Sequence, residues 1–297
     1  MNITLWYSLY LTMLFLSMSM SNWLSMWTML ELSSWLMMMI SLTSDFSYNM
    51  LFKMYVLFTL SSAILVFMWL MMSKKQQWIL YILAFKMGIP PLHWWVTWIM
   101  KHMAWKTMWW FTTLHKVIPM MLSILLINSM LVLLWCVLSI IWSSFSFWHT
   151  SSYFMIFFYS SCVHSSWLWM TIYDLFSFMM YFSLYTMIMY HIFTNINKFS
   201  FWYMNNEMSI LMIILLGIPT SNVFFMKLAT ISTIFSFTLI VSWTILLINI
   251  LTIFPYTRMI WTLMTNKLFS LCHMPNNLNI ISSIMICYYF TIWPVML

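Results

Sequence analysis

Apolar runs about twenty residues long follow one another through this chain, separated by only a few polar positions each, and they are apolar on every side. A helix rising 1.5 Å per residue needs about 20 such residues to cross a hydrocarbon layer of roughly 30 Å. A run that is hydrophobic all round belongs in a membrane or a deep core. Read with that window, the sequence predicts eleven spans, at approximately 2–20, 22–43, 51–72, 77–98, 104–126, 128–146, 153–172, 174–194, 207–229, 233–256 and 279–297. Ser73 to Gln77, Lys101-His102 and Asn195 to Lys198 read as short loops. The longest polar stretch runs from Arg258 through Asn266, Lys267 and His273 to Pro275-Asn276-Asn277. No loop has room for a soluble domain and no internal repeat is visible. The expectation is an all-α polytopic membrane protein whose residues 1–297 form a single transmembrane domain.

Composition narrows the class further. Hydrophobic residues make up 64% of the chain and charged residues 5%, against about 25% charged in soluble domains. A β-barrel would alternate polar and apolar positions over about ten residues, which these runs do not. The first segment has no basic lead and no small-residue cleavage site, so it reads as a first span rather than a signal peptide. Cys136, Cys162, Cys272 and Cys287 lie too far apart for a zinc or iron–sulfur spacing or a disulfide framework. The net charge of +7 is scattered, which argues against nucleic acid as a partner and bears on topology instead. Lys101, Lys106, Lys198, Arg258 and Lys267 fall on the N-terminal side, and Lys74 and Lys75 on the other. The positive-inside rule then puts the N-terminus in the matrix or cytoplasm. Thirty-six Met and 21 Trp beside two Gly is the usage expected of a mitochondrial code that reads extra codons as Met and Trp.

The two glycines carry the candidate chemistry. Gly88 sits in Phe85-Lys86-Met87-Gly88-Ile89-Pro90-Pro91-Leu92-His93-Trp94, and Gly217 in Leu216-Gly217-Ile218-Pro219-Thr220, with Lys227 further along. Each opens a Gly-Ile-Pro step that interrupts an apolar run beside a lysine. Freed backbone groups cost several kcal/mol each in a membrane unless protein or water satisfies them. A mid-depth lysine costs roughly 2.5–3.5 kcal/mol more. Two discontinuous helices with buried lysines suggest an ion path rather than an anchor. In a continuous helix Pro90 would free the carbonyl of Lys86, Pro119 that of His115, and Pro219 that of Leu215.

Glu31, Lys86, Lys116 and Lys227 sit too deep in their spans to reach water, while Lys53 is near a span start and can snorkel. A structural ion pair is the plain reading of such residues, yet three lysines outnumber the single glutamate. Burial disfavours a charged group and a nearby opposite charge favours it; groups held between the two can exchange protons. His93 follows Lys86 by seven residues, on one face if the helix resumes, and an imidazole suits proton transfer. His102, His149, His191 and His273 read as loop or span-end residues, and the Met and Trp stripes as packing or lipid-facing surface. No phosphate loop or dinucleotide motif is present.

These segments resemble those of one family. Trp23 to Leu32 with Leu30-Glu31, Lys53-Met54-Tyr55, Lys86-x-Gly88 through Pro91-Leu92-His93-Trp94-Trp95, His115-Lys116-Val117-Ile118-Pro119, Tyr159-Ser160-Ser161-Cys162-Val163-His164 and Gly217-Ile218-Pro219 with Phe224 and Lys227 are similar to motifs of NADH–ubiquinone oxidoreductase chain 2. That family is the mitochondrially encoded, antiporter-like membrane subunit of respiratory complex I, and the likeness runs over nearly the whole chain. The resemblance implies an antiporter-like bundle of eleven helices that translocates protons across the inner mitochondrial membrane, coupled to electron transfer from NADH to ubiquinone. Glu31 would then modulate the charge of Lys86, Lys116 would be the central relay and Lys227 the exit-side group. His93 would bridge, Lys53 support, and His164 line the axis. It also implies that this chain binds no cofactor, since NADH, FMN, iron–sulfur clusters and ubiquinone belong to other subunits. Its partners would be other membrane-arm subunits, neighbouring antiporter-like ones among them, and lipids such as cardiolipin.

The chain departs from the family pattern at Thr220, Val223 and Met226 around the second break. Phe154 to Phe158 stand where a basic pair often precedes Tyr159, and Val96-Thr97-Trp98 replaces the usual Pro-Glu. Two other readings stay open: a structural membrane-arm subunit that moves no protons, and a stand-alone cation/proton antiporter.

Overall fold

The computed structural model describes residues 3–43, 47–71, 77–124, 129–150, 152–172, 174–198, 206–218, 221–235 and 239–269. All regular elements among them are helical. In chain order they are α1 (Ile3–Ser19), α2 (Trp23–Leu42), α3 (Tyr48–Met71), α4 (Gln77–Met87), α5 (Trp94–Met100), α6 (Trp105–Thr112), a 3-10 turn (Leu114–Lys116), α7 (Val117–Ile124), α8 (Ser129–His149), α9 (Tyr153–Thr171), α10 (Leu175–Lys198), α11 (Asn206–Leu216), α12 (Asn222–Phe235) and α13 (Leu239–Phe269). Among the described residues, four helical segments are long and apolar enough to cross a membrane by themselves: Tyr48–Leu70, Val132–His149, Leu175–Thr194 and Ser242–Trp261. Other predicted spans coincide with helices that are shorter, less apolar or interrupted. The span predicted at 279–297, with Cys272, Cys287, His273 and the Pro275-Asn276-Asn277 stretch, lies outside the described residues, as do Lys74 and Lys75.

Serine and threonine make these helices possible in apolar surroundings. Their hydroxyls turn back onto the carbonyl three or four residues earlier, as Ser33 does to Leu30 at 2.8 Å, Ser61 to Phe58 at 2.8 Å and Ser160 to Phe157 at 2.8 Å. The polar group is thereby satisfied within its own helix. Bulky apolar side chains then face outward, Phe15, Phe52, Trp94, Phe176 and Trp261 among them. That is the surface expected where lipid or another subunit, rather than water, is the neighbour.

The chain divides into two compact units, residues 1–143 with 150–173, and residues 144–149 with 174–297. In the first unit α2 is the hub, packing against α1, α3, α6, α7 and the 3-10 turn, while α4 meets α3 and α7, and α5 meets α9. In the second, α11, α12 and α13 pack on one another and α10 lies against α11 and α12.

Three differences from the sequence expectation have plain causes. The run at 104–126 is interrupted as well, between α6 and α7, so the described residues hold three breaks where two discontinuous helices were expected. Pro119 does not make that break. It stands in the first turn of α7, where a backbone N–H has no helical partner to lose. Lastly, the helix predicted to stop at 256 continues through Pro255 to Phe269, so Arg258 is helical and donates to the Trp148 carbonyl at 3.1 Å. Its 31 residues make about 46 Å of helix, longer than the roughly 30 Å apolar layer.

Both glycines have positive φ, +65° at Gly88 and +79° at Gly217, and no other described residue does. A Cβ at Gly88 would lie 2.3 Å from Val96 Cγ2, whereas one at Gly217 would meet the flexible tip of Lys227 at 3.4 Å. Left-handed backbone costs a side-chain-bearing residue roughly 1–2 kcal/mol at either site, and the clash with Val96 comes on top at Gly88. G88A is therefore expected to lower the melting temperature of the detergent-purified protein more than G217A does. Equal losses would show that Val96 yields freely.

Candidate functional site

α4 ends at Gly88 by donating backward twice. The Gly88 amide bonds the Phe85 carbonyl and the Ile89 amide the Ala84 carbonyl, both at 3.0 Å, which is the pattern of a Schellman C-cap. Pro90 and Pro91 therefore lie in the turns beyond the helix and not inside it. The carbonyl of Lys86 is a helix-end carbonyl because the glycine stops the helix, so the expected proline mechanism is replaced. Other residues close the exposed end: Trp95 Nε1 donates to the Phe85 carbonyl at 3.0 Å, and Cys162 Sγ points at the Gly88 carbonyl at 3.8 Å.

Lys86 stands in the last turn of α4, where cations are favoured by the helix dipole. It is buried, 1% exposed, and its Nζ donates to Glu31 Oε1 at 2.8 Å. Glu31 comes from the middle of α2 and is 17% exposed. Residues 55 positions apart are thus brought together because α2 is the hub of the first unit.

Lys116 closes the 3-10 turn between α6 and α7 and is also buried. Its Nζ donates to the Ser161 carbonyl and Ser161 Oγ, both at 3.2 Å, and to Ser165 Oγ at 3.4 Å. Ser161 and Ser165 are one helical turn apart on α9, so a single face of that helix holds the ammonium. No carboxylate bonds it among the described residues.

The histidines divide differently from the sequence expectation. Residues 88–93 do not continue the helix, so His93 shares no helical face with Lys86. It precedes α5, with Nδ1 3.2 Å from the Pro91 carbonyl and Nε2 3.3 Å from the Tyr159 hydroxyl, and it stacks on Phe158. His164 is buried in α9. Lys53 is exposed on α3, its Nζ 3.7 Å from the centre of the Trp98 ring, and is not bonded to Glu31. His149 is the last residue of α8 rather than a loop residue. His115, unassigned from sequence, is buried beside Lys116 with Nδ1 3.0 Å from the Tyr10 hydroxyl. A histidine next to a mid-span lysine was the available signal. Ser161 lies in the Tyr159-to-His164 motif, which assigns it no role, and Tyr10 and Ser165 gave no signal beyond being polar in apolar runs.

In the second unit, α11 stops at Leu216 and the Gly217 amide bonds the Ile214 carbonyl at 3.0 Å. Ser221 opens α12, its Oγ accepting from the Phe224 amide at 3.4 Å, an N-cap position. Pro219 and Thr220 lie outside the described residues. Lys227, buried on α12, folds back over Gly217. Its Nζ donates to Asn249 Oδ1 on α13 at 3.1 Å and to the Leu216 carbonyl at 3.4 Å. That carbonyl is the negative end of α11.

Neither unit, among the described residues, has three His, Cys, Asp or Glu placed to hold a metal ion. What each unit offers by itself is buried proton-bearing groups on interrupted helices.

No protein-family model matches this sequence, and no curated protein sequence matches it. Solved structures do. One is a chain of respiratory complex I from Thermus thermophilus with bound aureothin, with a TM-score of 0.72 at 15% identity over 80% of this chain. Another is a chain of the Mrp complex from Dietzia sp. DQ12-45-1b, with a TM-score of 0.68 at 14% identity over 81% of this chain. This chain spans 65% and 56% of the length of those two. At such identities the likeness is one of fold, shared by this chain with a chain of each complex.

Proposed function

We propose that this chain is a proton-translocating, antiporter-like subunit in the membrane arm of a respiratory complex I, of the chain 2 type. The observation that carries the reading is that three lysines are buried among the described residues, each beside a helix interruption, with one of them ion-paired to a mid-helix glutamate. Intramembrane ionisable groups of this kind mark ion pathways and proton relays. Discontinuous helices supply the helix-end carbonyls that such paths use. The shared fold supports the choice of complex.

In this reading the chain lies in the mitochondrial inner membrane with its N-terminus on the matrix side and crosses it eleven times. Glu31 sets the charge of Lys86, Lys116 is the central relay and Lys227 the exit-side group, with His93, His164 and Lys53 in supporting places. NADH, FMN, iron–sulfur clusters and ubiquinone act in other subunits. Neighbouring membrane-arm subunits and lipids, cardiolipin included, cover the apolar outer faces. The likeness to the Mrp complex chain supports a second reading, a cation/proton antiporter working apart from electron transfer.

Two measurements test this. In an assembled complex, K86M and K116M are each expected to lower the number of protons moved per electron while NADH oxidation continues. An unchanged ratio in a fully assembled complex would reject the translocation reading, and cation-driven proton exchange by the chain alone in vesicles would favour the second. The ion pair is tested separately. Removing one partner of a buried pair typically costs about 3–5 kcal/mol because the other charge is stranded. E31Q should therefore destabilise the protein by an amount of that order, and the double variant E31Q/K86M should recover most of it. If the double variant melts no higher than E31Q, the pair is not what Glu31 stabilises.

A further inference from the structure

Residues 158–165, about two turns of α9, serve both interruptions of the first unit. Toward the first break, Cys162 Sγ points at the Gly88 carbonyl at 3.8 Å. The Tyr159 hydroxyl lies 3.3 Å from His93 Nε2, and Phe158 stacks on the His93 ring. Gly88 and His93 are the two ends of the connection between α4 and α5. Toward the other break, Ser161 and Ser165 supply the three acceptors of the Lys116 ammonium. Phe158, Tyr159, Ser161, Cys162 and Ser165 are all buried.

The two sides meet at one residue. Ser165 Oγ accepts from Lys116 at 3.4 Å and donates to the Cys162 carbonyl at 2.9 Å. The thiol of that same Cys162 is the group that reaches Gly88. Lys116, Ser165, Cys162 and Gly88 thus form one run of contacts from the buried ammonium to the turn that ends α4. Lys86 stands in the last turn of that helix. Packing alone asks for none of this. An alanine would fit the place of Cys162 without aiming a donor at the turn, and Ser33 and Ser61 bond only their own backbone.

Resting on the translocation reading, we propose that α9 couples the two sites, with Cys162 as the positioning residue, so that the charge on Lys116 governs how firmly the turn after Lys86 is held. A hydrogen bond from a charged donor is roughly twice as strong as a neutral one. As an ammonium, Lys116 grips Ser161 and Ser165 and fixes the stretch of α9 that braces Gly88. As a neutral amine it holds them less tightly. The thiol contact, long and weak, is then the link that gives. Loosening stays within the turn: α9 itself does not shift, and Tyr159 still braces His93. No proton travels along this run, and the one that leaves Lys116 is the translocated one. The consequence is order. Lys86 is held in place while Lys116 is charged, and freed from that hold once Lys116 is ready to receive.

The test is hydrogen–deuterium exchange at the Gly88, Ile89 and Leu92 amides, which bond back to Phe85, Ala84 and Ile89 and exchange when the turn opens. It is read by mass spectrometry on the assembled complex for wild type, K116M, C162A and the double variant, with protons moved per electron measured on the same samples. K116M and C162A should each speed this exchange roughly threefold or more. The double variant should be no faster than either, because both cut one connection. If K116M exchanges at the wild-type rate, or the two effects multiply, the sites are not linked through α9 and this inference falls. A lowered proton ratio in K116M would keep the broader reading in that case. An unchanged ratio overturns the broader reading and this inference with it. Should K116M or C162A fail to assemble, infrared spectra of the native complex decide. The Cys162 S–H stretch, assigned by its loss in C162S, is expected to shift between resting and turning-over complex, and a band that stays in place overturns the proposal.

Discussion

Burying an ammonium group among apolar helices sets the terms for the rest of this molecule. Each lysine has to be met by groups that replace its water, and the three buried ones among the described residues are met differently. Lys86 has a carboxylate, Lys116 two serine hydroxyls and a carbonyl, and Lys227 a side-chain amide with a helix-end carbonyl. For Lys227 the choice is tied to where a helix stops, because a helix-end carbonyl such as that of Leu216 is found only where a helix ends. The choices of partner also dictate which helices touch. α2 must pass beside the end of α4 for Glu31 to reach Lys86, and α9 must turn its serine face toward the 3-10 turn.

Stopping a helix inside apolar surroundings creates a second problem, which is solved locally at each break. At Gly88 the two backward bonds, the Trp95 indole and the Cys162 thiol together occupy carbonyls of the terminal turn. At the break before α12, Ser221 supplies the cap. The close seating of Val96 over Gly88 shows why the position has no side chain: α5 returns directly against the turn it has just left. Interruption and packing are one feature there, since a larger residue would push α5 away from the carbonyls that its own Trp95 helps to satisfy.

Much of this was legible in the sequence, though not all for the right reason. Helix existence followed from run length, because few other structures satisfy their backbone within an apolar segment. Gly88 and Gly217 marked two of the breaks, since positive φ is almost confined to glycine. The third, at Thr113 to Lys116, carries no glycine; Pro119 pointed to the His115 carbonyl inside it, but by a helix-breaking mechanism that its place in the first turn of α7 does not use. Prolines misled at α4 as well, where Gly88 already ends the helix before Pro90 is reached. The Glu31–Lys86 relation was implied by the family resemblance, whereas the charge count, three lysines to one glutamate, singled out no partner. The Lys116 partners were hidden because serines in apolar helices mostly bond their own backbone. In their own back-bonding to the helix, Ser161 and Ser165 look the same as Ser33 or Ser61.

The different partners of Lys86 and Lys116 have a consequence for the proposed relay. A carboxylate only accepts hydrogen bonds, so it favours the ammonium form of Lys86 and holds a proton there. A serine hydroxyl accepts from an ammonium and, after rotating, donates to an amine. Ser161 and Ser165 at present donate to the carbonyls of Phe158 and Cys162, so each has a hydrogen that can be redirected. The Lys116 pocket therefore accommodates both protonation states without moving a helix, whereas that of Lys86 is matched to one. A path built from a holding site followed by an exchanging site needs a reason for the proton to leave the first. On the proposed reading that reason has to come from outside the pair, through whatever changes the field at Glu31, which at 17% exposure is the more open partner of the two.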